Sequence, residues 1–374
     1  MISQALSSAS YPVSLVSVLA LAACSSEPGP LPLLVIDTAT AEVVERWKVP
    51  GYTFDVADDD VTGRVWIVAE GDTPRVLEIS SDGSVIERYR LNLVMGGGGS
   101  GPLGLGRDYW VDYGAIAIDP VRRRGSFTSP RSDTLAILDL DTGEFVRGQV
   151  SFFLPHGTAY DSVGDVGYGS AQFAYSFRAS DGTALIDDLC GEFTAYALAF
   201  SDANQKLYAT TGFNGICTYD PATNTPTRQA AVCNDAYFCD HAGIAVSGDG
   251  KRLYVSNPAY QTLGYLPSWS IWDLELGTQT DITDEAGPHG FAVSPDDSTL
   301  YVTETTCNRV RAFDAKTGAH RYDIPTDGET LGIDLNADGS RLYVTQVRAD
   351  SELGGGRQLM ADHVGPCPPL VLKP

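Results

Sequence analysis

The chain has 374 residues, 43% of them hydrophobic, which is enough apolar material for a large core. Its formal net charge of −23 excludes a protein that wraps the phosphate backbone of a nucleic acid, so we expect no nucleic-acid partner. The one basic cluster, Arg122 to Arg124, is interpreted as a solvated hairpin turn. The 39 glycines and 21 prolines are typical of an all-β chain with many turns.

The N-terminal residues predict an export signal. Residues 12–23 form an apolar run too short to span a bilayer stably, and the run ends in Leu-Ala-Ala directly before Cys24. This segment resembles a bacterial lipobox, which implies that Cys24 is lipidated and becomes the first mature residue. We therefore expect a signal peptide over 1–23 and a tether over 24–31. The mature protein would be exported to the bacterial cell envelope and contact the membrane through its lipid anchor only.

The rest of the chain is built from a repeat. Variants of the stretch from His289 to Glu304 return at a spacing of roughly 40 to 47 residues, which is typical of propeller blades. Each copy predicts an inner strand, a tight polar turn, a second strand and an outer pair. In chain order the predicted blades lie at about 52–92, 113–152, 155–192, 193–232, 238–285 and 287–326.

The two ends of the repeat region predict a seventh blade. Residues 329–348 supply only an inner pair of strands, and residues 32–49 supply only an outer pair. Joining them closes the ring and removes exposed sheet edges. Residues 32–374 are therefore predicted to form a single all-β domain, a seven-bladed β-propeller with four-stranded blades. Its last blade combines N-terminal outer strands with C-terminal inner strands.

Two acidic patterns are assigned to turns. The outer hairpins repeat an aspartate that we expect to cap the following turn. Its copies are Asp37, Asp139, Asp220, Asp273 and Asp314, with Glu78 and Arg178 at the matching places of two other blades. The run from Asp58 to Asp60 is interpreted as a solvated turn.

Three second strands carry a short motif. Residues 254–257, 301–304 and 343–346 read Tyr-Val-Ser-Asn, Tyr-Val-Thr-Glu and Tyr-Val-Thr-Gln. These segments resemble the seven-bladed YVTN-type propeller family. The resemblance implies the fold, whereas propellers carry many unrelated functions. Seven-bladed propellers of similar repeat style include lactonases and lyases. We expect a monomer.

The cysteines agree with an oxidising compartment. If Cys24 carries lipid, six cysteines remain, and an even number favours disulfides. Cys233 and Cys239 bracket a short loop and are the first pair we predict. Adjacency of blades adds the pairs Cys190 with Cys217 and Cys307 with Cys367. A zinc site is disfavoured because no two cysteines show the close spacing of a zinc knuckle.

Histidines supply the candidate metal site. Three of the five histidines are predicted to begin inner strands on one face of the ring. Counting outward from the turn between Ser294 and Thr299 places His289 opposite Glu304, within about 4.5 to 5.5 Å at Cβ. In one interpretation a divalent metal is the cofactor, with His156, His241, His289 and Glu304 as its ligands or as acid–base groups. In the other, which the sequence favours, each histidine only bonds a neighbouring loop.

Long connections supply the candidate ligand site. They emerge on the face where the inner strands begin, and they carry aromatic residues suited to recognition. The predicted ligand-binding residues are Tyr109, Trp110, Tyr237, Tyr260 and Asn257.

These features support two hypotheses for function. The first is a lipid-anchored surface propeller that binds a protein or small-molecule ligand through this loop-rich face. The second is a metal-assisted hydrolase or lyase, similar to a lactonase, with its histidines and Glu304 at the mouth of the channel.

Overall fold

A computed structural model describes residues 30–70, 75–90, 114–129, 134–151, 157–171, 173–191, 195–211, 215–229, 243–257, 268–283, 287–348 and 367–373. The described chain forms 28 β-strands. None of its residues belongs to a helix, so the described part holds no helix suited to crossing a membrane.

The strands of the first three blades are β3 (Tyr52–Asp59), β4 (Arg64–Glu70), β5 (Arg75–Ile79), β6 (Val85–Arg90), β7 (Ile116–Asp119), β8 (Arg124–Ser129), β9 (Thr134–Asp139), β10 (Phe145–Ser151), β11 (Thr158–Asp161), β12 (Val166–Ser170), β13 (Ala174–Arg178) and β14 (Ala184–Ile186). Blades four to six contain β15 (Ala195–Ser201), β16 (Lys206–Thr211), β17 (Gly215–Asp220), β18 (Thr225–Gln229), β19 (Ile244–Val246), β20 (Arg252–Asn257), β21 (Ser268–Asp273), β22 (Thr278–Thr283), β23 (Pro288–Val293), β24 (Thr299–Glu304), β25 (Arg309–Asp314) and β26 (His320–Pro325). Blade seven contains β27 (Glu329–Leu335), β28 (Arg341–Val347), β1 (Leu33–Asp37) and β2 (Glu42–Trp47).

The strands form seven antiparallel four-stranded sheets, which confirms the predicted seven-bladed propeller. Blade seven has the strand order β2-β1-β28-β27, so strands from both ends of the chain share one sheet. Leu34 pairs with Val344 and Asp37 with Arg341 across the joint. The ring is therefore closed by backbone hydrogen bonds between segments far apart in sequence.

The propeller has two distinct ends. We call the end where each inner strand begins the top face, and the end where it turns into the second strand the bottom face. All seven bottom turns between inner and second strands are short; the first spans 60–63 and the second 120–123. At the top face the connections from β6 to β7, from β18 to β19 and from β20 to β21 span 91–115, 230–243 and 258–267. The long segments therefore all leave from one end of the ring.

A hydroxyl explains the third residue of the Tyr-Val-Thr motif. The Thr303 hydroxyl accepts the backbone N–H of Gly290 in its own blade at 2.7 Å and donates to the Leu331 carbonyl in the next blade at 2.6 Å. Six blades repeat the first contact with a residue 13 positions back. The hydroxyls are those of Thr128, Ser170, Thr210, Ser256, Thr303 and Thr345. The motif thus joins neighbouring inner strands.

Close approach of the inner strands also explains a glycine of the repeat. A Cβ atom at Gly243 would lie 1.9 Å from the backbone oxygen of His289 in the next blade. No side chain fits at that separation, so this position accepts only glycine without a shift of the backbone.

The hydrophobic core lies between blades. One cluster joins Tyr301 and Val310 of blade six to Ile333 and Leu342 of blade seven. Another joins Tyr254 and Trp269 of blade five to residues of blade six. Each blade therefore buries its apolar faces only against its neighbours, as expected for a repeat that is stable in a ring.

Two of the three predicted disulfides are present. Cys190 bonds to Cys217, which links blades three and four, and Cys307 bonds to Cys367, which fastens the C-terminal segment to blade six. Cys233 and Cys239 lie outside the described residues, as does Cys24.

The predicted turn caps are confirmed, since the repeated outer aspartates accept backbone N–H groups two or three residues further on. The bonds concerned are those of Asp37, Asp139, Asp220, Asp273 and Asp314. At the matching place in blade one, the buried Glu78 pairs instead with Arg64 at 2.9 Å and Arg88 at 2.5 Å.

The solvent exposure expected for two turns is wrong. The basic cluster is not solvated, because Arg122 pairs with Asp119 at 3.1 Å, Arg123 with Asp59 at 2.5 Å and Arg124 with Asp139 at 2.6 Å. Of the acidic run, only Asp60 is exposed, whereas Asp59 and the neighbouring Asp58 are buried. The reason is that these arginines are neutralised by carboxylates: Arg123 reaches Asp59 of blade one and Arg122 also reaches Asp165 of blade three, whereas Arg124 pairs within blade two.

Candidate functional site

The register predicted for His289 is wrong by one residue. Pairing runs from Val293 opposite Leu300 to Phe291 opposite Val302 as expected, but a β-bulge then shifts it, and Pro288 lies opposite Glu304. Inner strands of blades one, four and seven carry a shift at the same place. The bulge inserts one extra residue into the inner strand and turns its side chain away from the facing strand.

Glu304 is part of a buried ionic cluster. One carboxylate oxygen accepts from Nε of Arg309 at 2.5 Å, and the other lies 3.3 Å from Arg311. Both arginines also face Asp323, at 3.8 and 3.4 Å. Glu304 and Arg309 are fully buried, so each charge depends on the other for compensation.

The C-terminal segment covers this ionic cluster. Arg309 donates to the Pro368 carbonyl at 2.8 Å, and the Val371 N–H donates to Asp323 at 2.7 Å. His320 lies on the other side of Asp323, with Nε2 2.8 Å from its carboxylate. The carboxylate of Glu304 is therefore engaged by two arginines, whose positive charges oppose a metal cation at this oxygen pair.

The metal site stays a prediction. Within the described ranges no group of three or more His, Cys, Asp and Glu side chains is arranged to hold a metal ion. His289 is buried at the start of β23, whereas His156 and His241 lie outside the described residues.

The predicted ligand-binding residues are placed only in part. Asn257 is the last residue of β20 and pairs with Ser268, at the top face. Tyr109, Trp110, Tyr237 and Tyr260 lie outside the described residues. The segments that contain them connect strands at the same top face.

A second group of titratable side chains lies where blade seven meets blade one. Asp334 occupies the inner-strand position at which the other six blades carry alanine. Its carboxylate accepts the backbone N–H of Asp58 in blade one at 2.7 Å and that of Leu335 at 2.9 Å. Asp58 and Asp334 therefore meet at the interface between blades one and seven, where the first and the last inner strands of the closed ring adjoin.

A third carboxyl group, Asp55, lies next to this pair. It stands where other blades have glycine or alanine, and it accepts the Ile116 N–H of blade two at 3.0 Å. In blade one Val68 replaces the motif hydroxyl, so Asp55 supplies a bond to the next blade. We call Asp55, Asp58 and Asp334 the carboxyl cluster.

Burial changes the proton affinity of this carboxyl cluster. Desolvation raises the pKa of Asp55 to about 7 and that of Asp334 to about 7, and it also raises the pKa of Asp58. The negative charge of Asp60 acts in the same direction on Asp334, whereas the N–H of Asp58 acts against it. Such carboxyl groups exchange protons near neutral pH, which ordinary aspartates do not.

Sequence reasoning missed this carboxyl cluster, although a signal was present. Aligning the seven inner strands shows that Asp334 interrupts a column that is otherwise alanine, and that Asp55 interrupts a column of glycine and alanine. Their proximity depends on the neighbouring positions of blades seven and one, which lie at opposite ends of the sequence.

Comparison with known proteins identifies the fold and not a family. No protein-family model and no curated protein matches the chain. Among solved structures, hydrazine synthase of Kuenenia stuttgartiensis is similar with a TM-score of 0.64 and 12% identity, over 81% of this chain and 95% of that one. The WD40 repeats of RRP9 are similar with a TM-score of 0.59 and 11% identity, over 86% and 99%. At these identities the likeness shows the propeller fold alone.

Proposed function

We propose that the protein is an exported, lipid-anchored β-propeller of the bacterial cell envelope that binds a protein or small-molecule ligand through its top face. Its repeat style is that of the YVTN-type propellers. The observation that carries the proposal is the asymmetry between the two ends of the ring. The top face receives every long connection, including those with Tyr109, Trp110, Tyr237 and Tyr260, whereas the inner bottom turns are short. Long connections on a rigid scaffold are where binding residues concentrate.

The proposed anchor has a consequence for orientation. Strand β1 begins at the top face, because its first residues pair with the end of β28. A tether over residues 24–31 reaches at most about 28 Å when fully extended. A lipid at Cys24 would therefore hold the top face towards the membrane, so that the ligand is one present at or near the membrane surface.

Site-specific photocrosslinking in the intact envelope tests the proposed face. A photoreactive phenylalanine analogue replaces Tyr109, Tyr237 or Tyr260, and matched control positions are Val44 and Leu185, which are exposed on outer strands. We expect the three top positions to crosslink the same species and the controls to crosslink none. Crosslinks that are equally frequent from the outer strands would contradict the proposal, as would their absence from all three top positions.

Labelling with radioactive palmitate tests the anchor separately. The wild-type protein should incorporate label, and Cys24→Ser should not. Equal labelling of the two proteins would overturn the lipid anchor and leave binding by the top face untouched.

Metal analysis decides between binding and the hydrolase or lyase hypothesis. The protein is purified without chelator, and its metal content is compared with that of His289→Ala. The binding proposal expects no stoichiometric metal in either sample. A stoichiometric metal that disappears in the variant would favour the metal-assisted enzyme.

A further inference from the structure

The seven bottom turns are divided into two kinds. One position in each turn distinguishes the two kinds. It lies six residues after the inner-strand residue whose backbone N–H donates to the motif hydroxyl. In blade one, which lacks that hydroxyl, it lies six residues after Asp55. Blades one to four carry Val61, Val121, Val163 and Ala203 there. Blades five to seven carry Asp249, Asp296 and Asp338. At this position the bottom face therefore has an apolar sector over four consecutive blades and an acidic sector over the other three, with the exposed Asp60 and Asp202 directly before Val61 and Ala203 in the apolar sector.

The apolar sector projects its valines into solvent. Val61, Val121 and Val163 are 59%, 66% and 72% exposed, which is unusual for this residue type. The buried aspartates at the base of these turns accept the valine N–H groups, at 3.3 Å from Asp59, 3.0 Å from Asp119 and 2.9 Å from Asp161. The aspartates thus stabilise the turns through these hydrogen bonds, while the valine side chains remain exposed to solvent.

Nearby arginines do not place free positive charge in the apolar sector. Arg122 pairs with Asp119 and with Asp165 at 3.2 Å, and Arg123 pairs with Asp59 and with Asp141 at 2.9 Å. Each guanidinium faces two carboxylates. A cationic partner therefore meets a neutral or negative surface there.

The acidic sector carries exposed, ionised carboxylates. Hydrogen bonds from the Ser294 and Ser298 side chains lower the pKa of Asp296, and those from Ser340 lower the pKa of Asp338. The pKa of Asp249 is also lowered despite an opposing effect of desolvation, through bonds from Ser247 and Lys251. Arg252 lies 3.8 Å from Asp249, while Asp297 adds a further carboxylate beside this turn at 2.7 Å from Gly248 N.

Contacts between blades make the bottom face rigid. Arg123 joins the turns of blades one and two, and Arg122 donates to the Val163 carbonyl of blade three at 3.4 Å. Asn204 donates to the Gly250 carbonyl of blade five at 2.7 Å, and Asp297 of blade six accepts the N–H groups of Gly248 and Asp249. A surface that is ordered in advance loses little conformational entropy on binding.

We propose that the bottom face docks a cationic amphipathic segment of a partner protein. Its apolar side chains would pack on the valines of blades one to three, and its lysines or arginines would face the aspartates of blades five to seven. Charge complementarity selects this partner over two alternatives. The acidic sector would repel an acidic protein, and a neutral apolar protein would leave the aspartates of that sector without opposite charges. The bottom face is separate from the top face. A negative result for this docking proposal would therefore leave the proposed ligand site at the top face untouched, and the reverse also holds.

A binding experiment with a defined probe tests the proposal. The probe is a short fluorescein-labelled peptide of leucine and lysine that folds into an amphipathic helix, and anisotropy is measured with the full-length protein. We expect saturable binding that weakens as salt is added. The combined variant Val61→Ser, Val121→Ser and Val163→Ser should bind about tenfold more weakly, since the apolar contact is lost. The combined variant Asp249→Asn, Asp296→Asn and Asp338→Asn should also bind about tenfold more weakly and depend less on salt.

Matched controls separate docking from general attraction to a negative protein. Asp82→Asn, Asp181→Asn and Asp220→Asn remove the same charge from outer turns, where each aspartate also accepts a backbone N–H. Val44→Ser and Leu185→Ser remove apolar side chains exposed on outer strands. These controls should bind like the wild type. Equal weakening by the outer-turn variant, or no effect of the valine substitutions, would overturn the proposal.

Discussion

Asp58 and Asp334 face each other across the interface that closes the ring, where the Asp58 N–H donates to the Asp334 carboxylate at 2.7 Å. Besides Asp55, the acidic groups around this pair are Asp59 and Asp60. The phenol of Tyr343 interacts with both Asp58 and Asp334. Their protonated forms are favoured in the folded protein, because burial raises the pKa of both groups. Closing the ring is thus coupled to proton uptake.

This coupling predicts a loss of stability as the pH rises from about 4 to about 7, between the unfolded and the folded pKa of the group. A carboxyl group whose pKa rises to about 7 on folding stabilises the protein fully below its unfolded value, and this contribution is lost as the pH rises through 7. Asp334→Asn removes the titration and keeps an oxygen that can accept from Asp58. We expect the free energy of unfolding to fall by about 1–2 kcal/mol more in the wild type than in the variant between pH 5 and pH 9.

Chemical denaturation at several pH values measures this difference, with Asp338→Asn as the control for an exposed carboxylate. The control should follow the wild type in this pH range, because the pKa of Asp338 is lowered and the group is ionised throughout. Parallel pH profiles for the wild type and Asp334→Asn would show that the ring closure does not take up a proton.

The ionic cluster in blade six predicts a large cost for removing one charge. Glu304→Gln leaves the buried Arg309 without its nearest negative partner, so we expect a destabilisation of about 3 kcal/mol. Asp327→Asn, which breaks the exposed pair with Arg46, should cost less than about 1 kcal/mol. Equal and small effects in denaturant unfolding would show that Glu304 does not compensate Arg309.

The motif hydroxyl predicts a specific effect of an isosteric change. Thr303→Val keeps the shape but removes the partner of the Gly290 N–H and of the Leu331 carbonyl. We expect a destabilisation of about 1–3 kcal/mol in denaturant unfolding, the range for buried groups that lose their partners. Thr317→Val, at an exposed hydroxyl bonded to Asp314, is the control and should change stability by less than about 0.5 kcal/mol.

The two disulfides are predicted to differ in their access to a reductant. Cys190 and Cys217 are buried, whereas Cys367 is exposed. Mild reduction of the folded protein followed by alkylation should label Cys307 and Cys367 first, and Cys190 and Cys217 only after unfolding. Peptide mass spectrometry measures the order of labelling, and early labelling of Cys217 would contradict the buried linkage between blades three and four.

Much of the fold follows from local patterns. The repeat from His289 to Glu304 predicts the blade count, and the half-blades at both ends predict the joint between β1 and β28. Pairings of Cys190 with Cys217 and of Cys307 with Cys367 follow from the adjacency of blades. These features are accessible because each depends on spacing along the chain, which the sequence displays directly.

The surroundings of His289 and Glu304 were harder to predict from the sequence, for two physical reasons. Counting from the turn fails at Pro288, because a bulge adds one residue and only the packing of adjacent inner strands shows where it lies. Glu304 looked like a partner for an imidazole, yet Arg309 and Arg311 of the neighbouring strand hold it. The sequence does not show which of several nearby charged side chains will form an ion pair with a given charged residue.

By itself, the sequence determined the seven-bladed ring, its closure by both ends of the chain and the turns that repeat around it. Those properties depend on the periodicity of apolar, small and turn-forming residues, which acts locally in every blade. Only the tertiary structure decided that Asp58 and Asp334 meet, with Asp55 close enough to interact with Asp334. Such arrangements depend on which blades become neighbours when the ring closes, and closure brings together residues from opposite ends of the sequence.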